Sequence, residues 1–102
     1  MIHVKKVKPE YFDALQSGDK RFELRRPDPE EPAFAVGDFL ALNEWKDDRY
    51  TGRCLLFRII YVLDAAHSCG CLTEGSVALG LRLLPLNPED LHLGALQLMP
   101  NK

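Results

Sequence analysis

Apolar residues recur at two different periods along this chain, and the points where the period changes mark its elements. Tyr11, Ala14 and Leu15 fall at the i, i+3, i+4 spacing of a helical stripe, with Phe12 beside them, and all four are expected in the core. Pro9 stands where a first helical residue belongs, Glu10 suits the positive first turn, and Gly18 is placed to stop the helix in a left-handed cap. The spacing therefore predicts a helix over Pro9–Ser17. Immediately afterwards Arg21, Glu23 and Arg25 alternate with Phe22 and Leu24, the period-two pattern of a half-buried strand that shows its charged residues on one face.

The same period recurs on both sides of this unit. Residues 3–6 predict a short first strand with Val4 inward and His3 and Lys5 on the opposite face, which makes His3 a candidate pocket residue. After residues 27–32, where three prolines and three carboxylates require a loop, Gly37 and Asp38 turn the chain into a strand over residues 39–45. There Leu40, Leu42 and Glu44 share one face, while Phe39, Ala41, Asn43 and Trp45 share the other. A carboxylate at the end of a core face must be solvated or paired, so Glu44 is expected at the rim beside Lys20, Arg25 or Arg26. Residues 46–52 read as a hairpin loop, followed by strands over residues 54–62, with Leu55, Phe57, Ile59 and Tyr61 inward, and over residues 76–84, with Val77, Leu79, Leu81 and Leu83 inward. One early helix and five strand candidates predict a β-rich α+β fold, a partly closed barrel.

At 102 residues the chain is long enough for one domain and one core. We place that domain at residues 1–84 and treat 85–102 as an extension, in which Asn87, Pro88, Glu89 and Asp90 resemble a short helix start and Leu91, Ala95, Leu98 and Met99 form an apolar side. This side would pack on the barrel or meet a second copy in a homodimer. No apolar run is long enough to cross a bilayer and the N-terminus lacks a signal-peptide pattern, so a cytoplasmic protein with no membrane partner is expected. A formal net charge of −2 argues against a general nucleic-acid coat. The charge is unevenly spread: residues 1–26 hold seven cations against four carboxylates, and residues 27–50 hold two against seven, which could polarise a cleft. Cys54, Cys69 and Cys71 are expected as thiols, and the Cys69-x-Cys71 spacing beside His67 is an incomplete zinc set, so neither metal nor cofactor is expected.

The spacing Gly18-x-Lys20-x-x-Glu23-x-Arg25 resembles the signature of the ASCH domains, a branch of the PUA-like superfamily. The flanking His3-Val4-Lys5-Lys6, Pro9-Glu10-Tyr11-Phe12, Val36-Gly37-Asp38 and Tyr50-Thr51-Gly52 are similar to a small bacterial and phage subfamily of unknown function (DUF3850-like). The resemblance implies a PUA-like pseudo-barrel of five to six strands, with an RNA or nucleotide site between the early helix and the barrel and with Lys20, Glu23 and Arg25 in that site. One related branch comprises small amidohydrolases of an acetylated cytidine, in which the motif lysine is catalytic and a threonine follows three residues later. Here Lys20 matches, but Glu23 stands in the threonine's place.

The residue chemistry suits a small polar ligand. Arg25 and Arg26 can fork onto a phosphate or carboxylate, Lys20 can meet it as a point charge, and Glu23 can accept hydrogen bonds from a base or a sugar. His3, Glu44 and Trp45 are expected at the rim, Trp45 as a stacking surface. Single-stranded or modified RNA, a nucleotide or a nucleoside is the expected partner, with no catalytic residue assigned. Two other classes stay open: a small amidohydrolase acting on an acylated nucleoside, and an ion-pair network of purely structural or protein-binding value. Strict alternation would send Lys20 and Glu23 to opposite faces, so they converge only if Lys20 belongs to the turn after Gly18.

Overall fold

Helix α1 spans Pro9–Ser17, and its limits follow from the residues that punctuate it. Gly18 adopts a φ of 86° and returns its N–H to the Leu15 carbonyl, a conformation that costs a residue with a Cβ more than it costs glycine. The chain then folds back so that the Lys20 N–H reaches the Ala14 carbonyl at 3.0 Å, which keeps Lys20 in the turn and outside the next strand. The computed structural model describes residues 1–85, and the expected C-terminal extension lies outside the described residues save for Pro85.

Around α1 run five strands: β1 (Ile2–Val7), β2 (Phe22–Arg25), β3 (Phe39–Lys46), β4 (Arg49–Asp64) and β5 (Val77–Leu83). They form one sheet in the order β1-β3-β4-β5-β2, with β1 parallel to β3 and every other pairing antiparallel. The result is a β-rich α+β fold whose sheet curls into a half-barrel with the helix against it. Its core joins Phe12 and Leu15 of the helix to Val7, Leu40, Leu42, Phe57, Ile59, Leu79 and Leu81 of the strands. Each fully buried member of this size contributes roughly 1.5–3 kcal/mol. β3 is covered on both sides, because Ala41 packs with Cys54, Val4 and Leu56 on the face away from that core.

Several expected orientations differ, each for a local reason. Tyr11 is 44% exposed rather than in the core; Phe12 and Leu15 supply the buried stripe. Tyr61, expected inward, is 62% exposed. Ile59 faces Leu81 and Tyr61 faces Gly80, so β4 advances two residues while β5 advances one. That bulge reverses the parity, and Val62 packs on the core in place of Tyr61. Leu83 is also partly exposed, beyond the last buried pair of β5. The hairpin between β3 and β4 is tighter than the expected loop: Asp47 and Asp48 turn the chain with φ of 52° and 61°, the pair of positive angles of a two-residue turn that matches strand twist.

β2 is inverted relative to the amphipathic reading. Phe22 and Leu24 face outward, and Glu23 is only 4% exposed. Register explains this, because Glu23 lies opposite Leu79, a core residue, and directly opposed residues of an antiparallel pair share a face.

Candidate functional site

Glu23 is the centre of the charged cluster. Its carboxylate receives the Lys20 ammonium at 2.5 Å on Oε1, and the Arg25 guanidinium on Oε2, with Nε at 2.9 Å. Arg25 also donates from Nη2 to the Lys6 carbonyl at 2.7 Å. Lys6 lies in β1 and Arg25 in β2, the two edge strands of the sheet, so this bond spans the seam where the half-barrel fails to close. Lys20 and Glu23 converge because Lys20 stays in the turn that Gly18 creates.

The seam opens as a cleft of about 480 Å³, within the range of small-ligand pockets. One wall is the end of β1 and the residue after it, with Lys6, Val7 and Lys8; the other is Lys20 and β2, with Tyr11 of the helix at the head. The Lys20 ammonium lies 5.1 Å from the Tyr11 ring centroid and 5.0 Å from that of Phe22, so the two outward aromatics flank a cation at the cleft. Their exposure, which contradicts a core reading, is what makes them available here. The Lys6 ammonium rests 3.9 Å from the Trp45 ring centroid, and Trp45 packs edge-on against Tyr50. Trp45 thus stands behind a cleft residue and does not line the cleft itself. The Tyr50 hydroxyl is buried with no hydrogen-bond partner among the described residues, and burial pushes its pKa up.

The other sequence candidates sit elsewhere. Arg26 turns away and donates to the Glu74 carbonyl at 2.9 Å. His3 is buried, its ring tilted against that of Phe34, with Nε2 2.8 Å from the Asp38 carboxylate. Glu44 does not pair with Lys20, Arg25 or Arg26. Arg53 takes both of its oxygens at 2.9 Å, and Thr51 donates to Oε1 at 2.7 Å. A register break between Asn43 and Trp45 explains the choice, because β4 there spends Thr51, Gly52 and Arg53 opposite the single residue Glu44. Neither Lys6, Lys8 and Tyr11 as site members nor Arg53 as Glu44's partner was foreseen. No local signal marks Lys6 and Lys8, which reach the cleft through the curl of the sheet that brings β1 beside β2. The loop over residues 27–32 is tied to β1 by an ion pair between Lys5 and Glu31, on the far side from the cleft. Cys69 and Cys71 are exposed, and no group of three His, Cys, Asp or Glu that could hold a metal occurs among the described residues.

Two paired carboxylates, Asp38 and Glu44, are expected to shape the acid limb of stability. The His3 hydrogen bond, assisted by the N-terminal charge, holds Asp38 below its ordinary value against the opposing effect of burial. Hydrogen bonds from Arg53 and then Thr51 do the same for Glu44. Both folded-state values lie below the unfolded ones, so the stabilisation is present above the unfolded values and is lost as pH falls from about 5 through the depressed values. Thermal unfolding followed from pH 7 down to pH 2 should show the melting temperature falling in that window, and Glu44→Gln should flatten the fall. An unchanged acid limb in Glu44→Gln would contradict the assignment.

The chain is thus a β-rich α+β half-barrel with one helix and a charged seam flanked by aromatic rings. Within that class the chain belongs to a known family: residues 2–81 match the family described as Domain of unknown function (DUF3850). It is also 40% identical over 63 residues to an uncharacterized 12.9 kDa protein in the GpA 3'region of Escherichia phage P2; the match covers 62% of this chain and 55% of the phage protein. The chain therefore spans about half the length of that curated relative. No helix among the described residues is long and apolar enough to cross a membrane.

Proposed function

We propose that the chain is an ASCH-type, PUA-like domain that binds a nucleobase-containing ligand, a nucleotide or single-stranded RNA, in the seam between β1 and β2. The supporting observation is that the Lys20–Glu23–Arg25 cluster is not sealed: it faces an open cleft flanked by exposed Tyr11 and Phe22 rings. An ion-pair network serving stability alone has no use for two aromatic side chains held at its solvent face. Rings in such positions accept stacked bases, and cations beside them attract the backbone. Lys20 is engaged by Glu23 at 2.5 Å, and an ion-paired ammonium has no lone pair with which to attack an acyl group, so the amidohydrolase reading has less support.

Tyr11→Ala tests this with little risk to the fold, because Tyr11 is outside the core. It should weaken binding to nucleotides or short single strands by about 1–3 kcal/mol, the usual worth of a stacked base, with the melting temperature nearly unchanged. Fluorescence anisotropy with labelled short RNAs and calorimetry with mononucleotides would measure it. Turnover of an acylated nucleoside that disappears in Lys20→Ala would instead favour hydrolysis. Absence of binding to every nucleoside, nucleotide and short RNA would leave the structural or protein-interaction class standing.

A further inference from the structure

The charge of the cleft goes further than a nucleobase. Lys6, Lys8, Lys20 and Arg25 line it against the single carboxylate of Glu23. Among the described residues Lys6 and Lys8 pair with no carboxylate. The cleft is therefore strongly cationic in a chain whose formal net charge is −2. Glu23, the one carboxylate of the cleft, is 4% exposed and already has a cation on each oxygen.

From this balance we infer that the ligand is held by a phosphate. The site takes a nucleobase that carries a phosphoryl group, and Glu23 is a positioning residue that orients Lys20 and Arg25; the inference rests on the nucleobase reading above. A neutral nucleoside would leave the excess positive charge of the cleft uncompensated, whereas a phosphate monoester brings a charge of about −1.5 to −2 and several acceptor oxygens. Lys20 and Arg25 reach it from one wall and Lys6 and Lys8 from the other, so the anion bridges the seam that Arg25 now spans through the Lys6 carbonyl. The base lies against Tyr11 and Phe22 on the outer side of Lys20.

Calorimetry with the four ribonucleoside 5′-monophosphates and the four matching nucleosides tests the inference, with inorganic phosphate and a hexanucleotide as further probes. The best monophosphate should bind about tenfold or more tightly than its nucleoside, as charge-assisted contacts to an anion require. Lys6→Gln combined with Lys8→Gln should erase most of that ratio. A hexanucleotide that binds more tightly than any monophosphate assigns the phosphate to a strand, and the reverse order assigns it to a free nucleotide; both support the inference. Equal affinity for nucleosides and monophosphates would overturn it while leaving the nucleobase reading intact. Inorganic phosphate competing as well as any monophosphate, or a folded protein that binds no probe at all, would overturn the nucleobase reading and the inference with it.

Discussion

Arg53→Ala is expected to destabilise the fold by about 2–3 kcal/mol, well beyond the loss of a surface ion pair. The Glu44 side chain is 6% exposed, and Arg53 occupies both of its oxygens. Removing the guanidinium leaves a buried carboxylate held by the Thr51 hydroxyl, and leaving such a charge uncompensated is the costly part. Arg53 has other tasks. It donates to Asp13 of α1 at 2.8 Å, and its guanidinium lies 4.2 Å from the Phe12 ring centroid, so one side chain ties the helix to the β3–β4 hairpin. Because the Arg53 side chain is itself 44% exposed, water can enter after its removal, which holds the estimate at the low end for buried pairs. Arg53→Lys should recover only part of the loss, since an ammonium cannot reproduce the two parallel bonds. Urea unfolding with an unchanged m-value would measure the effect. A loss below about 0.5 kcal/mol would show that the pair behaves as an ordinary surface contact.

The helix was legible because its signals are local. Pro9, Glu10 and Gly18 act on the residues beside them, and no distant partner can override a missing N–H or a left-handed cap. The strands were legible as elements for a similar reason, but their faces were not. Period-two alternation divides β2 into a charged face and an apolar face without saying which is inside; that is decided by the pairing of Glu23 with Leu79, two residues far apart in the chain. The bulge at Ile60 reverses Tyr61 with no glycine or proline beside it in β4; the glycine opposite it, Gly80, lies in β5 and its pairing is not written in the local sequence. Glu44 was expected to be either solvated or paired with Lys20, Arg25 or Arg26; it is paired, but with Arg53, because of the register break that brings Thr51 and Arg53 opposite it. Within the cleft, Lys20 meets Glu23 and Arg25 because the turn after Gly18 keeps it out of β2, a local effect, whereas Lys6 and Lys8 join them only because the sheet curls until its two edges meet.

Glu23→Gln should separate scaffold from site. The substitution keeps the shape of the side chain and removes its charge, so Lys20 and Arg25 are left facing each other across a group that no longer neutralises them. Their side chains are 17% and 23% exposed, enough to turn partly toward water, and the expected loss of stability is therefore about 1–3 kcal/mol. The sign of the ligand effect is the informative part. A bound phosphate supplies the missing negative charge, and anything that binds the folded state alone stabilises it by mass action. A nucleoside monophosphate should consequently raise the melting temperature of Glu23→Gln by more than it raises that of the unsubstituted protein, while the matching nucleoside should do no better in the variant. Thermal unfolding of both proteins, with and without each compound at equal concentration, measures the difference. If the variant loses stability and no phosphate-bearing ligand restores any of it, the cluster serves the fold alone, because a site built to hold an anion must respond when its own internal anion is taken away.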